Sequence, residues 1–290
     1  MSKSNDYSRV IAGTMTWGRW GKQLSKSEMT KLMNQCVEMG ITTFDHADIY
    51  GGYENETDFG AAFFESGIPR ERIQLISKCG IQMIQGRNNK VKHYQYDANY
   101  IVWSAEQSLN KLKTEYLDLF LLHRPSPLMV PDEVAKAVEK LKKDGKINKF
   151  GVSNFTPSQI ALLETAVDVE GNQVEYSLTH VEPMEDGTFD DCISNNRMAM
   201  AWSPLGSFFR DGNEQKRRIS EALKGLVKKY NADESQLLLA FILKHPVGVR
   251  PVVGTTNKDR LSASLEAAQL DMELQDWFVL LEASQGSEVP

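Results

Sequence analysis

Short apolar runs alternate with longer amphipathic segments along most of the chain. A short run rich in aliphatic and aromatic residues predicts a buried strand, and apolar residues three or four apart predict a helix. The predicted strands are 10–15, 41–45, 73–78, 117–122, 149–153, 172–176, 198–203 and 250–253. The predicted helices are 27–39, 54–65, 99–112, 132–143, one from 156, 189–195, 214–230, 234–244, 258–267 and 274–283.

Strands that alternate with helices predict a parallel sheet in an α/β domain. Eight such units in about 250 residues match the size of a closed (β/α)8 TIM barrel. We therefore expect one domain over residues 1–290, with an extra helix near the C-terminus. An open, doubly wound sheet is the alternative. It usually carries GxGxxG after its first strand, and that motif does not occur in the sequence.

Composition narrows the classes of function. The chain has 290 residues and a formal net charge of −6, which disfavours a nucleic-acid or anionic-membrane surface. No apolar run approaches the roughly 20 residues that span a bilayer, and the first residues lack the apolar core of a signal peptide. The 3 cysteines show no CxxC spacing, as is typical of a reducing cytoplasm. We expect a cytoplasmic protein that is a monomer or weak homo-oligomer.

Ionisable and polar residues gather at the carboxyl ends of the predicted strands. Asp45 ends the second strand and Tyr50 follows in its loop, while Lys78 and His123 end the third and fourth. Taken singly, each residue has an ordinary explanation as a turn former, a solvated charge or a core histidine. Catalytic residues of TIM barrels lie at the carboxyl ends of strands, so their joint placement predicts an active site.

Seven segments together resemble the aldo-keto reductase family. They are 44–51 (Phe-Asp-His-Ala-Asp-Ile-Tyr-Gly), 77–78, 122–125, 151–155 (Gly-Val-Ser-Asn-Phe), 172–175, 202–206 (Trp-Ser-Pro-Leu-Gly) and 254–256. They occur in family order over most of the chain. The strongest likeness is to bacterial oxidoreductases that carry Asp-His-Ala-Asp-Ile-Tyr-Gly-Gly. The resemblance implies a TIM barrel and reduction of aldehydes or ketones.

The resemblance also assigns a catalytic tetrad of Asp45, Tyr50, Lys78 and His123. Tyr50 would protonate the carbonyl oxygen as hydride arrives from the nicotinamide C4. The ammonium of Lys78 would lower the pKa of Tyr50, whose ordinary value is about 10. Asp45 would pair with Lys78, and a neutral His123 would hydrogen-bond the carbonyl oxygen.

The cofactor implied by the resemblance is NADP(H). Matching cofactor-binding positions are Gly13, Thr14, Met15, Asp45, Ser153, Asn154, Gln173, Trp202, Ser203, Pro204, Leu205, Gly206, Gly254, Thr255, Thr256 and Arg260. Among them Trp202 would stack on the nicotinamide and Arg260 would bind the 2′-phosphate, since guanidinium suits phosphate. Ala263 and Ser264 depart from the Glu or Gln and Asn that many relatives carry near the adenine.

The partner expected at the site is a small carbonyl substrate. Residues matched to its pocket are Trp17, Tyr50, Tyr53, Cys79 and His123, with Met15 beside them. The segment 80–100 mixes aromatic and aliphatic residues and is interpreted as a lid or as a loosely ordered connection. Cys79 is expected to be an inert, packed thiol.

Two other functions stay open from the sequence. Asp45, His46, Asp48 and His123 suggest a metal-dependent hydrolase, although paired ligand spacing is missing and we expect no metal. The second alternative is a cofactor-bound, redox-sensing binding protein with little turnover, as in the potassium-channel β subunits that resemble this family. Rates of turnover and cofactor exchange distinguish that role from an enzyme.

Overall fold

The structure, a computed structural model, describes residues 7–210 and 212–290. The strands are β1 (Ile11–Gly13), β2 (Thr43–Asp45), β3 (Gln74–Cys79), β4 (Ile81–Gln82), β5 (His93–Tyr94), β6 (Leu117–Leu122), β7 (Ile147–Ser153), β8 (Gly171–Glu175), β9 (Met198–Trp202) and β10 (Arg250–Val253). The helices are α1 (Lys26–Glu38), α2 (Tyr50–Tyr53), α3 (Asn55–Ser66), α4 (Ala98–Leu112), α5 (Pro131–Lys143), α6 (Pro157–Leu163), α7 (Thr188–Ser194), α8 (Glu214–Tyr230), α9 (Glu234–Leu243), α10 (Lys258–Ala267) and α11 (Leu274–Gln285). Two 3-10 turns cover Arg70–Arg72 and Glu182–Met184.

Eight strands form a closed parallel barrel in the order β1-β10-β9-β8-β7-β6-β3-β2. The ring closes where Ile11 of β1 pairs with Val252 of β10. This confirms the (β/α)8 barrel and excludes the open sheet. Each of the eight predicted strands is present, with ends shifted by at most two residues. Helix α11 follows the last βα unit, as expected for the extra C-terminal helix.

Alternation along the strands separates two cores. Ile11, Ile76, Leu119, Leu121 and Met200 point into the barrel and form one buried cluster. Their strand neighbours, such as Leu75, Phe120 and Leu122, join a larger cluster between the barrel and the helices. Because successive strand residues face opposite sides, Lys78 points inward like Ile76, and Ser77 points outward.

The segment after β3 contains a β-hairpin and is not the loosely ordered connection that was one of its two interpretations. β4 and β5 pair antiparallel, with Ile81 opposite Tyr94. The Tyr53 hydroxyl accepts a hydrogen bond from the Met83 N–H at 3.0 Å, and the Arg87 guanidinium lies 4.3 Å from the Tyr53 ring centroid. A β-hairpin anchored to α2 therefore replaces the expected loop.

Local sequence signals explain where several helices begin. Ser25 with Glu28, Thr156 with Gln159, and Asp233 with Gln236 form reciprocal capping boxes before α1, α6 and α9. Such caps satisfy backbone N–H groups that a first helical turn leaves unpaired. Among the described residues, no helix has the length and apolar character needed to cross a bilayer.

Candidate active site

Three of the predicted tetrad residues meet in one buried hydrogen-bonded group. The Lys78 Nζ lies 2.7 Å from both Asp45 carboxylate oxygens and 2.8 Å from the His46 carbonyl oxygen. It also lies 3.3 Å from the Tyr50 hydroxyl. The geometry follows from the barrel, because Asp45 ends β2, Lys78 is the last residue but one of β3, and the two strands pair directly. The expected Asp45–Lys78 pair is therefore present, with both side chains almost fully buried.

The electrostatics of this group differ in one respect from the expectation. Burial lowers the pKa of Lys78, but Asp45 and then Tyr50 raise it, and the net shift is upward. Burial raises the pKa of Tyr50 and is the largest influence, while Lys78 lowers it only in part. The expected lowering of the Tyr50 pKa was wrong as a net effect, because burial outweighs the influence of Lys78 and Asp45 adds to the rise. Tyr50 is thus protonated at neutral pH and available as a donor.

His123 lies beside Tyr50 at the same end of the barrel. The two ring centroids are 6.1 Å apart in an edge-to-face arrangement. Burial and then the positive charges of Lys78, Arg124 and Lys92 hold the pKa of His123 well below its usual value, so the ring is neutral, as expected. Nδ1 is buried and has no hydrogen-bond partner in the structure. This leaves Nε2 as the ring nitrogen open to the mouth of the barrel.

The residues matched to the nicotinamide carboxamide form a chain of hydrogen bonds beside Asp45. Gln173 Nε2 donates to Asp45 Oδ1 at 2.8 Å, and the Ser153 hydroxyl donates to the Gln173 carbonyl at 2.8 Å. The Asn154 amide donates to the Ser153 hydroxyl and accepts from Trp202 Nε1 at 2.9 Å. Asn154 is therefore held by the protein itself, and its side chain orients Trp202.

The loop after β9 makes a tight turn and packs closely against the segment that follows β8. Ser203 and Gly206 have φ of 53° and 55°, in the left-handed region. A Cβ at Gly206 would lie 1.9 Å from Thr179 Oγ1 and 2.4 Å from Ser177 Oγ, so only glycine fits. Buried Pro204 and partly buried Leu205 complete the turn. Phosphate groups bind near strands seven and eight in many such barrels, and this loop follows the seventh barrel strand.

The predicted adenosine end lies at the start of α10. Arg260 is exposed in the first turn of α10, where its N–H donates to the capping Asn257. Thr255 and Thr256 are partly buried in the preceding loop, and the Gly254 carbonyl accepts a hydrogen bond from Thr16 at 2.6 Å. Ser264 is buried and donates to the Arg260 carbonyl, so its hydroxyl is already engaged. A helix N-terminus with exposed Arg260 has the donors that a phosphate requires.

Other predicted cofactor positions lie at the end of β1. Gly13 pairs with Asp45, and Thr14 donates its hydroxyl to the Asp45 carbonyl at 2.9 Å. Thr14 also contacts His46, which burial and then Lys78 keep neutral by lowering its pKa to about 3. Met15 is 45% exposed. The end of β1 thus supports the segment that carries the tetrad.

Three predicted substrate residues do not face the mouth. Trp17 is fully buried between Phe44 and Phe59, on the helix side of the barrel wall. Cys79 is fully buried on the same side, and burial raises the pKa of its thiol, which is consistent with an inert cysteine. Tyr53 is 7% exposed and supports the hairpin instead. These predictions were wrong because the sequence did not show which face of each segment the barrel covers.

Two residues of the mouth were missed. Trp20 is 41% exposed, and its ring centroid lies 6.2 Å from that of Tyr50. Arg124 directly follows His123, and its guanidinium lies 5.6 Å from the Trp202 ring centroid. The sequence offered one signal for each: Trp20 is an aromatic residue in the loop after β1, and Arg124 is a cation adjacent to the predicted histidine.

The carboxylates and histidines do not gather into a metal site. Within residues 7–210 and 212–290, no three His, Cys, Asp or Glu side chains are placed to hold a metal ion. Asp45 instead bonds Lys78 and Gln173, and His46 bonds Thr14.

Comparisons with known proteins agree with this geometry. The sequence profile of the Aldo/keto reductase family matches residues 9–279. The chain is 38% identical over 297 aligned residues to the uncharacterized oxidoreductase YcsN of Bacillus subtilis (strain 168), covering 100% of this chain and 98% of YcsN. It is 34% identical to the 6-dehydroglucose reductase of Agrobacterium fabrum, covering 100% of this chain and 98% of that protein.

A solved structure is also similar over nearly its full length. The thermostable aldo-keto reductase Tm1743, crystallised with the inhibitor epalrestat, superposes with a TM-score of 0.80 at 25% identity. The alignment covers 95% of this chain and 94% of Tm1743. Profile, relatives and fold agree, and this chain belongs to the aldo/keto reductase family of oxidoreductases.

Proposed function

We propose that this protein is an NADPH-dependent carbonyl reductase in which Tyr50 is the proton donor. The observation that carries the proposal is the Lys78 ammonium held between the Asp45 carboxylate at 2.7 Å and the Tyr50 hydroxyl at 3.3 Å. A carbonyl that gains hydride becomes an alkoxide and needs a proton at its oxygen. Tyr50 need not be a strong acid, because a positioned phenol can donate its proton as charge develops on the oxygen in the transition state.

Each side chain of the tetrad has a distinct task. A bound nicotinamide would supply the hydride. Tyr50 donates its proton to the carbonyl oxygen, and the ammonium of Lys78 stabilises the phenolate that remains. Asp45 keeps Lys78 charged and in place, since an unpaired buried ammonium would tend to lose its proton. His123 Nε2 hydrogen-bonds the carbonyl oxygen and fixes its direction, as in other sites with preorganised donors.

The residues around the tetrad fit a nicotinamide dinucleotide. Trp202 offers an indole face fixed by Asn154, and the left-handed turn at Ser203 and Gly206 follows β9 directly. Preference for the 2′-phosphate of NADPH rests on exposed Arg260, which forms no ion pair in the described part of the chain. The three buried, unpaired cysteines agree with the proposed cytoplasmic location.

Replacement of one phenol tests the proton donor. Tyr50→Phe should lower kcat/KM for NADPH-dependent reduction of aldehydes by about 10²–10⁴-fold, the usual contribution of general acid catalysis. The measurement is NADPH absorbance loss over a panel of aldehydes, ketones and quinones. Tyr116→Phe, at a partly buried phenol at the opposite end of the barrel, is the matched control. Near-normal turnover by Tyr50→Phe would refute the assignment.

The same preparation tests the coenzyme. NADPH should bind more tightly than NADH by tryptophan fluorescence, and Arg260→Met should weaken NADPH by about tenfold or more with little effect on NADH, since a charge-assisted hydrogen bond is worth about 1.5–3 kcal/mol. Tighter binding of NADH to the unmodified protein would contradict the phosphate role. Rapid exchange of NADP+ separates the enzyme from a binding protein that retains its nucleotide.

A further inference from the structure

Arg124 occupies a rigid position beside the tetrad. The Tyr96 hydroxyl donates to the Arg124 carbonyl at 2.6 Å and accepts from the Arg124 N–H at 3.2 Å. Tyr96 in turn fills the space over Gly80, where an added Cβ would lie 2.0 Å from the ring. The backbone of Arg124 is thus fixed at two points, directly after His123.

The side chain of Arg124 differs in its hydrogen bonding from those of the other buried or partly buried arginines. Arg70, Arg87 and Arg197 each donate to a side-chain oxygen of another residue. Partly buried arginines at 9, 218 and 250 donate to backbone carbonyls. Within residues 7–210 and 212–290, Arg124 alone among the buried or partly buried arginines donates no side-chain hydrogen bond, and its guanidinium lies 5.6 Å from the Trp202 ring centroid. Its five N–H donors remain open for a ligand.

The charges that face this guanidinium leave the mouth positive. Lys78 and Asp45 cancel each other, and both His123 and Tyr50 are neutral. Lys92, from the turn between β4 and β5, adds a second positive charge near His123. In the described part of the chain, neither Arg124 nor Lys92 forms an ion pair with a carboxylate. A positive potential of this kind favours an anionic ligand.

We propose that Arg124 binds an anionic group, a carboxylate or a phosphate, carried by the carbonyl substrate a few atoms from the reacting carbon. The guanidinium geometry suits both groups, which accept two parallel hydrogen bonds. Lys92 contributes attraction from the hairpin. The inference rests on the proposed function, since it assigns a substrate class to the same site.

A pair of substrates of the same carbon skeleton, one anionic and one neutral, tests the inference. The probes are 4-oxobutanoate and its neutral methyl ester, with NADPH saturating. The unmodified enzyme should prefer the anion in kcat/KM, and the preference should shrink as salt is added. Arg124→Met should lower kcat/KM for the anion by about 10–100-fold, mostly through KM, because a charge-assisted hydrogen bond contributes about 1.5–3 kcal/mol. The methyl ester should change less than about threefold, within the scatter of a neutral contact.

Two further variants separate the charge from general damage. Arg124→Lys should restore part of the preference, because the charge remains but the paired donors are lost. Arg72→Met, at an exposed arginine at the amino end of β3, removes a charge far from the mouth. It should leave kcat/KM unchanged for both substrates. A comparison of glyceraldehyde 3-phosphate with glyceraldehyde repeats the test for phosphate. The pair with the larger ratio of kcat/KM, anionic over neutral, identifies which anion is bound.

A binding measurement distinguishes failure of this inference from failure of the proposed function. The probe is the alcohol product 4-hydroxybutanoate, titrated calorimetrically into the NADP+-loaded protein and its Arg124→Met variant. If the unmodified protein binds 4-hydroxybutanoate and Arg124→Met does not, the anion site is supported. If no carbonyl is turned over in that case, only the proposed function fails. Equal loss of both substrates in Arg124→Met, or no preference for either anion with no binding of the alcohol, overturns the anion site.

Discussion

Buried carboxylates lie on both sides of strand β3, and their hydrogen-bond and ion-pair partners differ. The inner group is Asp45 with Lys78, and the outer group is Asp48 with Glu56. On the inner side, Asp45 pairs with Lys78 within the barrel. On the outer side, between the barrel and helices α3 and α4, Asp48 and Glu56 meet hydroxyl groups instead. The Ser77 hydroxyl donates to Glu56 at 2.6 Å, and one Asp48 oxygen has no hydrogen-bond partner. Adjacent residues of one strand, Ser77 and Lys78, thus serve opposite sides.

The contrast concerns the protonation of buried carboxylates that have no directly paired ammonium. Burial and then the nearby Glu56 raise the pKa of Asp48 to about 7, and the charge of Arg87 offsets this rise only in part. Burial likewise raises the pKa of Glu56, and the Ser77 hydrogen bond offsets this only in part. A carboxylate that must stay ionised needs the ammonium, whereas one that holds a structural position can keep its proton. The inner group can therefore support proton donation and the outer group stabilises the wall behind it.

The largest expected effect comes from removing the inner cation. Lys78→Met leaves Asp45 buried without a cation, which should lower the free energy of unfolding by about 3–5 kcal/mol. Reductase kcat/KM should fall by at least about 10³-fold, since the phenolate loses its stabilising charge. Urea unfolding and NADPH oxidation measure the two losses.

Controls for this variant separate stability from chemistry. Arg70→Met breaks the Arg70–Asp118 pair of 2.6 Å at the amino end of the barrel and should cost stability with little loss of activity. Adding Asp45→Asn to Lys78→Met should recover part of the stability but no activity. Substantial activity in Lys78→Met would contradict the role of the inner group.

A smaller effect is expected from the outer group as pH changes. The folded pKa of Asp48 is about 7, above its ordinary value of 3.8, so the folded state binds the proton more tightly. Its contribution to stability is complete below the unfolded pKa and is lost as pH rises toward 7. Asp48→Asn should therefore gain stability relative to the unmodified protein over this range, by up to about 1.4 kcal/mol per pH unit.

Urea unfolding at several pH values measures the difference between the two proteins. Asp132→Asn, at an exposed carboxylate, controls for the loss of one charge. Activity at pH 7 should stay within about threefold, because Asp48 contacts no tetrad side chain in the described structure. Parallel stability curves for Asp48→Asn and the unmodified protein would refute the raised pKa.

The smallest effect is expected from one outer hydroxyl. Ser77→Ala removes the donor to Glu56 and should cost about 1–2 kcal/mol, with a greater loss at the higher pH where Glu56 ionises. Ser104→Ala removes a longer contact of 3.3 Å to Asp48 and should cost less. Both variants should keep kcat. If Ser77→Ala lowered kcat as much as Lys78→Met, the separation of the two sides would be wrong.

Particular residues show how far the sequence predicted the site. Asp45, Lys78 and His123 end apolar runs, so their placement at one end of the barrel followed from the strand periodicity and from parallel pairing. Trp17 and Cys79 were misplaced, because an aromatic or a thiol near a strand end can face either the mouth or the helices. Arg124 and Trp20 lacked any periodic signal and emerged only from their contacts with Trp202 and Tyr50.

The order of strands and helices, the capping boxes and the inward face of Lys78 were determined by the sequence itself, because they depend on local periodicity and neighbouring residues. The pKa of Tyr50, the proton held near Asp48 and the open guanidinium of Arg124 were decided by the tertiary structure. Each depends on which distant side chains share a buried space, and desolvation and Coulomb interactions act across that space rather than along the chain.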